Sequence, residues 1–523
     1  MTRDPSFRAA VRALRAHALA IALCACPSPG SAQATSAPPA ALAGHWKGLA
    51  EWAGAREWVA LSITPADSGR LAVSLSLPAI HAYDFPLGVA RWSGDTLRAG
   101  PFELRWDEAG DRLEGMLPAM LVPVHSIPVT LKRVPALAPE PRGGSTAPTR
   151  EPVWSFSAGA ALWAPLEAGA GLVYVGGDDG VLHALSVNSG RERWRFKAGG
   201  ALRARPKLVA SSVYVHADDG FLYRLDSASG RVRWKQRLER DSIVRIPIDQ
   251  PGSRHDFTAS GVLAWGGALY VGTHDGRLLA LEPEAGRTIW TADVGGAVIA
   301  TPALAGGRVF VGSLDGHVTA WDAGVGERLW SFDTGAAVSA APVSDGRLVL
   351  ASSRSYDLFA LDAITGESRW NRYVWFSWVE STPALVDGVA YVGSSDAARV
   401  FALELASGRS LWEADVRGIS WTTPAVTLDR VYVAVRHSPS ISPHEGSLLA
   451  LDRATGAELW RVTNDAPAGA THRGFASSPV VSRGRVIVAG LDGIVRAFPE
   501  DDAEADAIRR RAAGTRHPRP SSR

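Results

Sequence analysis

Three kinds of side chain in this sequence could do chemistry, and their spacing decides which chemistry. Five aspartates, Asp179, Asp219, Asp275, Asp315 and Asp492, each stand directly before a glycine. Gathered together they would offer calcium its oxygen ligands. Asp-Gly is also ordinary tight-turn chemistry, in which the carboxylate caps a nearby backbone N–H, and regular recurrence along the chain favours the turn. Thirteen histidines are scattered, with no His-Glu-x-x-His run, nucleophile elbow or Gly-Lys-Ser/Thr phosphate loop. The two cysteines are Cys24 and Cys26, so beyond residue 26 there is no disulfide, thiolate nucleophile or cysteine-ligated metal.

Binding chemistry is better represented. The stretch NRYVWFSWVESTP carries Tyr373, Trp375, Phe376 and Trp378 and then Glu380, where sister segments such as TADVGGAVIATP carry small residues. Tryptophan and tyrosine combine flat apolar area with a polar edge, the composition of binding hot spots. Alternation puts Tyr373 and Trp375 on one side and Phe376 and Trp378 on the other, with one pair buried and its counterpart partly exposed. Aligned on the proline that follows each such segment, Arg203, Arg205, Arg245, Glu380 and Trp421 come to one common place. The candidate partner-binding or ligand-binding residues are therefore Tyr373, Trp375, Trp378, Glu380, Trp421, Arg203, Arg205 and Arg245, with no catalytic or metal-binding set.

The elements that must position them are repeats. The phrase ALDAITGESRW returns as ALSVNSGRERW, RLDSASGRVRW, ALEPEAGRTIW, AWDAGVGERLW, ALELASGRSLW and ALDRATGAELW. Each follows a valine-rich run, and the period is roughly 40 residues, the length of a four-stranded propeller blade. The closing tryptophans are Trp194, Trp234, Trp290, Trp330, Trp370, Trp412 and Trp460, and an orphan Trp154 falls in phase ahead of them. Trp154 lies in a segment that supplies the strand missing from the last unit, which gives eight blades and a closed ring. These eight tryptophans are read as structural, filling the wedges between blades.

Residues 1–34 have the order of a secretory signal: arginines, a short apolar run, then small residues. Leu23-Cys24-Ala25-Cys26 offers lipid anchoring at Cys26 as the alternative to cleavage after Ala34. Residues 42–133 alternate as a small antiparallel β-barrel or sandwich. Residues 134–152 form a Pro/Gly-rich linker, 153–500 the propeller, and 501–523 a charged tail expected to be disordered. With 55 basic and 53 acidic residues the net charge is +2, so no overall field recruits nucleic acid. No apolar run reaches the length of a membrane span.

The repeated phrase is the tryptophan-docking motif of the pyrroloquinoline-quinone-type (PQQ-like) propellers, and residues 151–500 resemble that superfamily throughout. Gly44-His45-Trp46-Lys47-Gly48 resembles the opening of small lipocalin-like barrels. The propeller resemblance implies either a quinoprotein dehydrogenase of alcohols or sugars, with a calcium–quinone site in the funnel, or a non-catalytic BamB-like binding module. Dehydrogenases of this kind hold the quinone beneath a ring of adjacent cysteines and bind calcium through Glu, Asn and Asp, and this chain departs from the cysteine pattern. The expectation is therefore a non-catalytic scaffold that takes a protein or peptide partner in the cell envelope, periplasmic or outer-membrane associated, with no cofactor; PQQ with calcium stands as the alternative.

Overall fold

The computed structural model describes residues 39–52, 55–78, 82–100, 102–117, 127–137, 147–246, 257–374, 377–437, 446–464 and 473–514. The signal segment, the cysteines and Trp375 lie outside them.

Nine strands make the first unit: β1 (Gly44–Trp52), β2 (Ala55–Pro65), β3 (Leu71–Leu77), β4 (Ala82–Val89), β5 (Arg91–Ser93), β6 (Thr96–Ala99), β7 (Phe102–Asp107), β8 (Arg112–Leu117) and β9 (Ile127–Val134). They form one antiparallel sheet in the order β4-β3-β2-β1-β9-β8-β7-β6-β5, nearly closed where β4 approaches β6. Alternation along β3, β7 and β9 sends Leu71, Val73, Leu75, Phe102, Leu104, Val129 and Leu131 inward around Trp46.

The propeller follows. Seven blades are consecutive four-stranded antiparallel meanders, from Glu167–Lys197 to Ala425–Thr463. The eighth takes three strands from Val480–Pro499 and its outer strand, β10 (Trp154–Ser157), from the other end of the propeller, with Trp154 opposite Ala497. This closure removes the free edge that an open sheet would present.

Seven of the eight blade junctions are locked by the repeated phrase. In four junctions the indole N–H donates to the carbonyl 33 residues ahead: Trp154 to Val187, Trp194 to Ser227, Trp290 to Ala323 and Trp330 to Ala363. The hairpin glycine of the next blade lies flat against that ring. At Gly366, where φ is +76°, a Cβ would stand 2.6 Å from Cδ2 of Trp330. The last junction lacks the glycine hairpin, and Arg150 replaces it: its guanidinium lies 4.8 Å from the Trp460 ring centre and donates to the Pro499 carbonyl.

The tail departs from the expected disorder. Residues Asp502–Gly514 form a helix, α1, with Asp501 accepting from the N–H groups of Ala503 and Glu504 as its cap. Low hydropathy gives such a segment no core to join, but arginines of the propeller supply another anchor. Arg430 pairs with Asp502 at 2.7 Å and Arg485 with Glu504 at 2.6 Å, and Arg150 also binds Asp502. No helix among the described residues is long and apolar enough to cross a membrane.

Candidate functional site at the propeller funnel

In a four-stranded meander the turns alternate between the two ends. The Asp-Gly turns and the blade-to-blade connectors therefore share one face, and the Thr/Ser-Gly hairpins the opposite one. The repeat aspartates serve as turn caps: Asp179 accepts from Val181 N–H at 3.1 Å, Asp219 from Phe221 N–H at 3.0 Å and Asp492 from Ile494 N–H at 3.1 Å.

On the connector face five connectors each put on the funnel wall the residue three places ahead of the proline that opens the inner strand. Ile299, Ser339, Glu380, Trp421 and Ala476 occupy this position and line a single cavity of about 60 Å³. Trp163, Phe257, Thr258, Ile419, Thr422, Arg436 and Phe475 complete its wall. Three rings from three distant connectors stack there. Phe257 lies between Trp163, with ring centres 5.2 Å apart, and Trp421, 5.4 Å apart and within 8° of parallel. The Arg436 guanidinium sits 4.1 Å from the Trp421 ring centre and 5.8 Å from that of Trp163.

Glu380 and Trp421 thus stand where proline alignment places them. The arginines divide. Arg203 reaches within 6.0 Å of the Trp163 ring and binds Asp178 at 2.9 Å. Arg245 grips Asp218 through two hydrogen bonds of 2.8 Å, and Arg205 pairs with Glu167 at 3.1 Å; neither lines the cavity. Burial raises the Asp178 carboxyl against the pull of Arg203. Each cation is held by a carboxylate of this chain, so no arginine cluster forms for an anionic ligand.

The aromatic stretch joins two parts of the molecule. Tyr373 is 4% exposed and belongs, with Tyr356, to the apolar core of the N-terminal barrel; Trp378 packs against the same core. The strand ends at Tyr373, and the alternation expected across Tyr373, Trp375, Phe376 and Trp378 falls in part on residues outside the described ones; Tyr373 and Trp378, expected on opposite sides, both meet the barrel core. Arg399 of blade six reinforces the seam through Glu57 of β2 at 2.8 Å. From this seam the connector runs to the funnel: Arg354 lies 5.1 Å from the Trp378 ring centre and also binds Glu380.

Four important residues escaped sequence reasoning: Trp163, Phe257, Arg436 and Asp396. Trp163 and Phe257 precede an inner strand, as Trp421 does, but Trp163 stands two places ahead of its proline and no proline follows Phe257 before the strand, so the proline alignment passes over both. Arg436 and Asp396 carry no such signal. The Asp396 carboxyl is pushed up to about 6, chiefly by loss of water and further by the Glu380 charge, while hydrogen bonds from its own backbone and Ser395 pull it down. Burial also lowers the Arg436 guanidinium to about 10, although Glu380 and Asp396 hold it up. Among the described residues, no group of three or more His, Cys, Asp or Glu side chains is gathered as metal donors.

Over 140 residues the chain is 31% identical to the quinohemoprotein alcohol dehydrogenase ADH IIB of Pseudomonas putida, a match covering 24% of this chain and 19% of that protein. The chain therefore spans only about a fifth of that curated relative. Among solved structures, the computationally designed Ika8 protein matches with a TM-score of 0.54 at 17% identity, over 66% of this chain and 97% of that one. BamB from Moraxella catarrhalis matches with a TM-score of 0.48 at 16% identity, over 78% and 94% of the two chains. The family model described as outer membrane protein assembly factor BamB matches in overlapping copies over residues 144–255, 247–377, 315–436 and 373–502. That match runs through all eight blades and covers well over half of the sequence, so the chain belongs to the PQQ-repeat family of outer membrane protein assembly factor BamB.

Proposed function

We propose that this protein is an exported, non-catalytic propeller that holds a protein or peptide partner on its connector face, in the periplasm or at the outer membrane. The observation that carries this reading is the funnel wall: a stack of Trp163, Phe257 and Trp421 capped by Arg436, drawn from connectors far apart in the chain. Tryptophan and arginine dominate protein-binding hot spots, because both present broad, flat surfaces that desolvate with little entropy loss. Family membership, through its description as an outer-membrane assembly factor, supports an envelope location and a protein partner.

The quinoprotein alternative fits the residues poorly. A tricyclic quinone needs a cavity of the ordinary ligand-site size, ~300 Å³ or more. The funnel wall leaves about 60 Å³, with Phe257 between the two tryptophans. Calcium would need several converging oxygens beside it, and Glu380 is the one carboxylate among the described residues that line the cavity.

The test uses the full chain in its native envelope, with a photo-crosslinking residue at Val244 or at Ile364. Val244 is 86% exposed on the connector after blade two, and Ile364 is 63% exposed on a hairpin of the opposite face. A discrete crosslinked protein from Val244 and none from Ile364 is expected. Equal crosslinking from both faces, or a quinone absorbance shift with dye-linked alcohol oxidation after adding calcium and quinone, would overturn the proposal.

A further inference from the structure

We infer that the funnel cavity is a subsite for a neutral amide group of the partner peptide; this rests on the reading of the connector face as partner-binding. Two hydrogen-bond donors on its wall are unspent. Ser339 is 9% exposed, and its Oγ has no partner among the described residues; the same holds for the buried Nε1 of Trp421. A buried donor left unpaired is costly, so two lining one cavity are unfavourable unless something accepts from them. An amide carbonyl offers two lone pairs, enough for both donors. The Glu380 carboxylate on the same wall provides an acceptor for the amide N–H.

Shape and charge narrow the ligand in the same direction. Trp163, Phe257 and Trp421 line the cavity with aromatic carbon, and Ile299 and Ile419 with aliphatic surface, so the occupant carries a small apolar body. A cavity of about 60 Å³ admits a few heavy atoms, the size of an amide with a short alkyl group. The charged groups beside it are two guanidinia, Arg354 and Arg436, and two carboxyls, Glu380 and Asp396. They balance, so a carboxylate or an ammonium gains no net field and pays its full desolvation, whereas a neutral dipole pays little.

A peptide could present this group as a backbone amide or as an Asn/Gln carboxamide, and simple probes separate the two. Full-length protein with ¹⁵N-labelled tryptophan is titrated with propionamide, N-acetylglycine methylamide, propionate and propylammonium, following the Trp421 indole N–H, which is assigned by its loss in Trp421→Phe. Saturable downfield shifts with the amides are expected, stronger for propionamide if a side chain is the natural occupant and for the acetylglycine amide if the backbone is. Ser339→Ala should weaken amide binding about fivefold, the loss of one hydrogen bond. The same variant should melt at or above the wild-type temperature, because it removes a buried hydroxyl that has no partner. Tighter binding of propionate or propylammonium, no saturable amide shift, or unchanged amide affinity in Ser339→Ala would each overturn the inference. If the amides fail while Val244 still crosslinks a partner, the subsite alone falls; if both fail, so does the partner reading beneath it.

Discussion

Asp396 shows how a residue that looks unremarkable in sequence acquires a distinct chemistry. Nothing in SSDAAR marks it, yet its carboxyl titrates near 6 because folding strips water from it and sets it near Glu380. A raised carboxyl pKa means that the folded protein holds the proton more tightly than the unfolded chain, so stability from this group falls as pH rises from the unfolded value through the folded one. Asp396 keeps partial access to solvent, which holds the effect to on the order of 2 kcal/mol between about pH 4 and pH 7.5. Asp396→Asn should abolish that slope and stabilise the protein above about pH 6.5, as read from denaturant midpoints across pH; equal pH slopes in the two proteins would contradict the assignment. The arginines teach the converse. Arg203, Arg205 and Arg245 were legible as charges near the funnel, but their partners Asp178, Glu167 and Asp218 lie on other strands or turns and neutralise them.

At the scale of elements, the repeated phrase does two jobs, only one of which is local. The Thr/Ser-Gly pair turns a hairpin within its own blade, and that is visible in the sequence. The second job is to receive the tryptophan of the preceding blade, and it explains why glycine stands at the turn. Gly366 combines φ +76° with a Trp330 ring where a Cβ would be. Gly366→Ala should therefore cost about 2–4 kcal/mol, adding backbone strain to overpacking. Urea denaturation of the full chain checks this, and a loss below about 0.5 kcal/mol would show that the ring can step aside. The eighth junction was legible only as an exception. The last unit's missing tryptophan strand predicted closure by the Trp154 segment, but the role of Arg150 against Trp460 depends on the chain ends meeting.

Across the whole molecule, the barrel and the propeller share an apolar core. Tyr356, Tyr373 and Trp378 enter the barrel cluster, and Glu57 meets Arg399 across the seam. Tyr373→Ala should loosen this seam by about 3 kcal/mol, the usual cost of truncating a buried aromatic. Scanning calorimetry should then show the barrel melting ahead of the propeller. A single transition, unshifted from wild type, would mean that the seam carries little of the coupling. Because Arg354 touches both Trp378 and Glu380, the barrel's seat is also one side chain away from the funnel wall.

By itself the sequence determined the blade count, the closure by the first propeller strand and the face on which the connectors gather. These follow from a period of short strands and turns, each set by residues close in the chain. Only the tertiary structure decided what the connectors do. Trp163, Phe257 and Trp421 meet because the ring brings blades one, three and seven to a common axis, and no local pattern encodes that convergence. The aromatic stretch at 371–382 likewise proved to be the barrel's anchor at one end and part of the funnel wall at the other. Its occupant at the barrel end is another part of the same chain, folded some 300 residues earlier in sequence but adjacent in space.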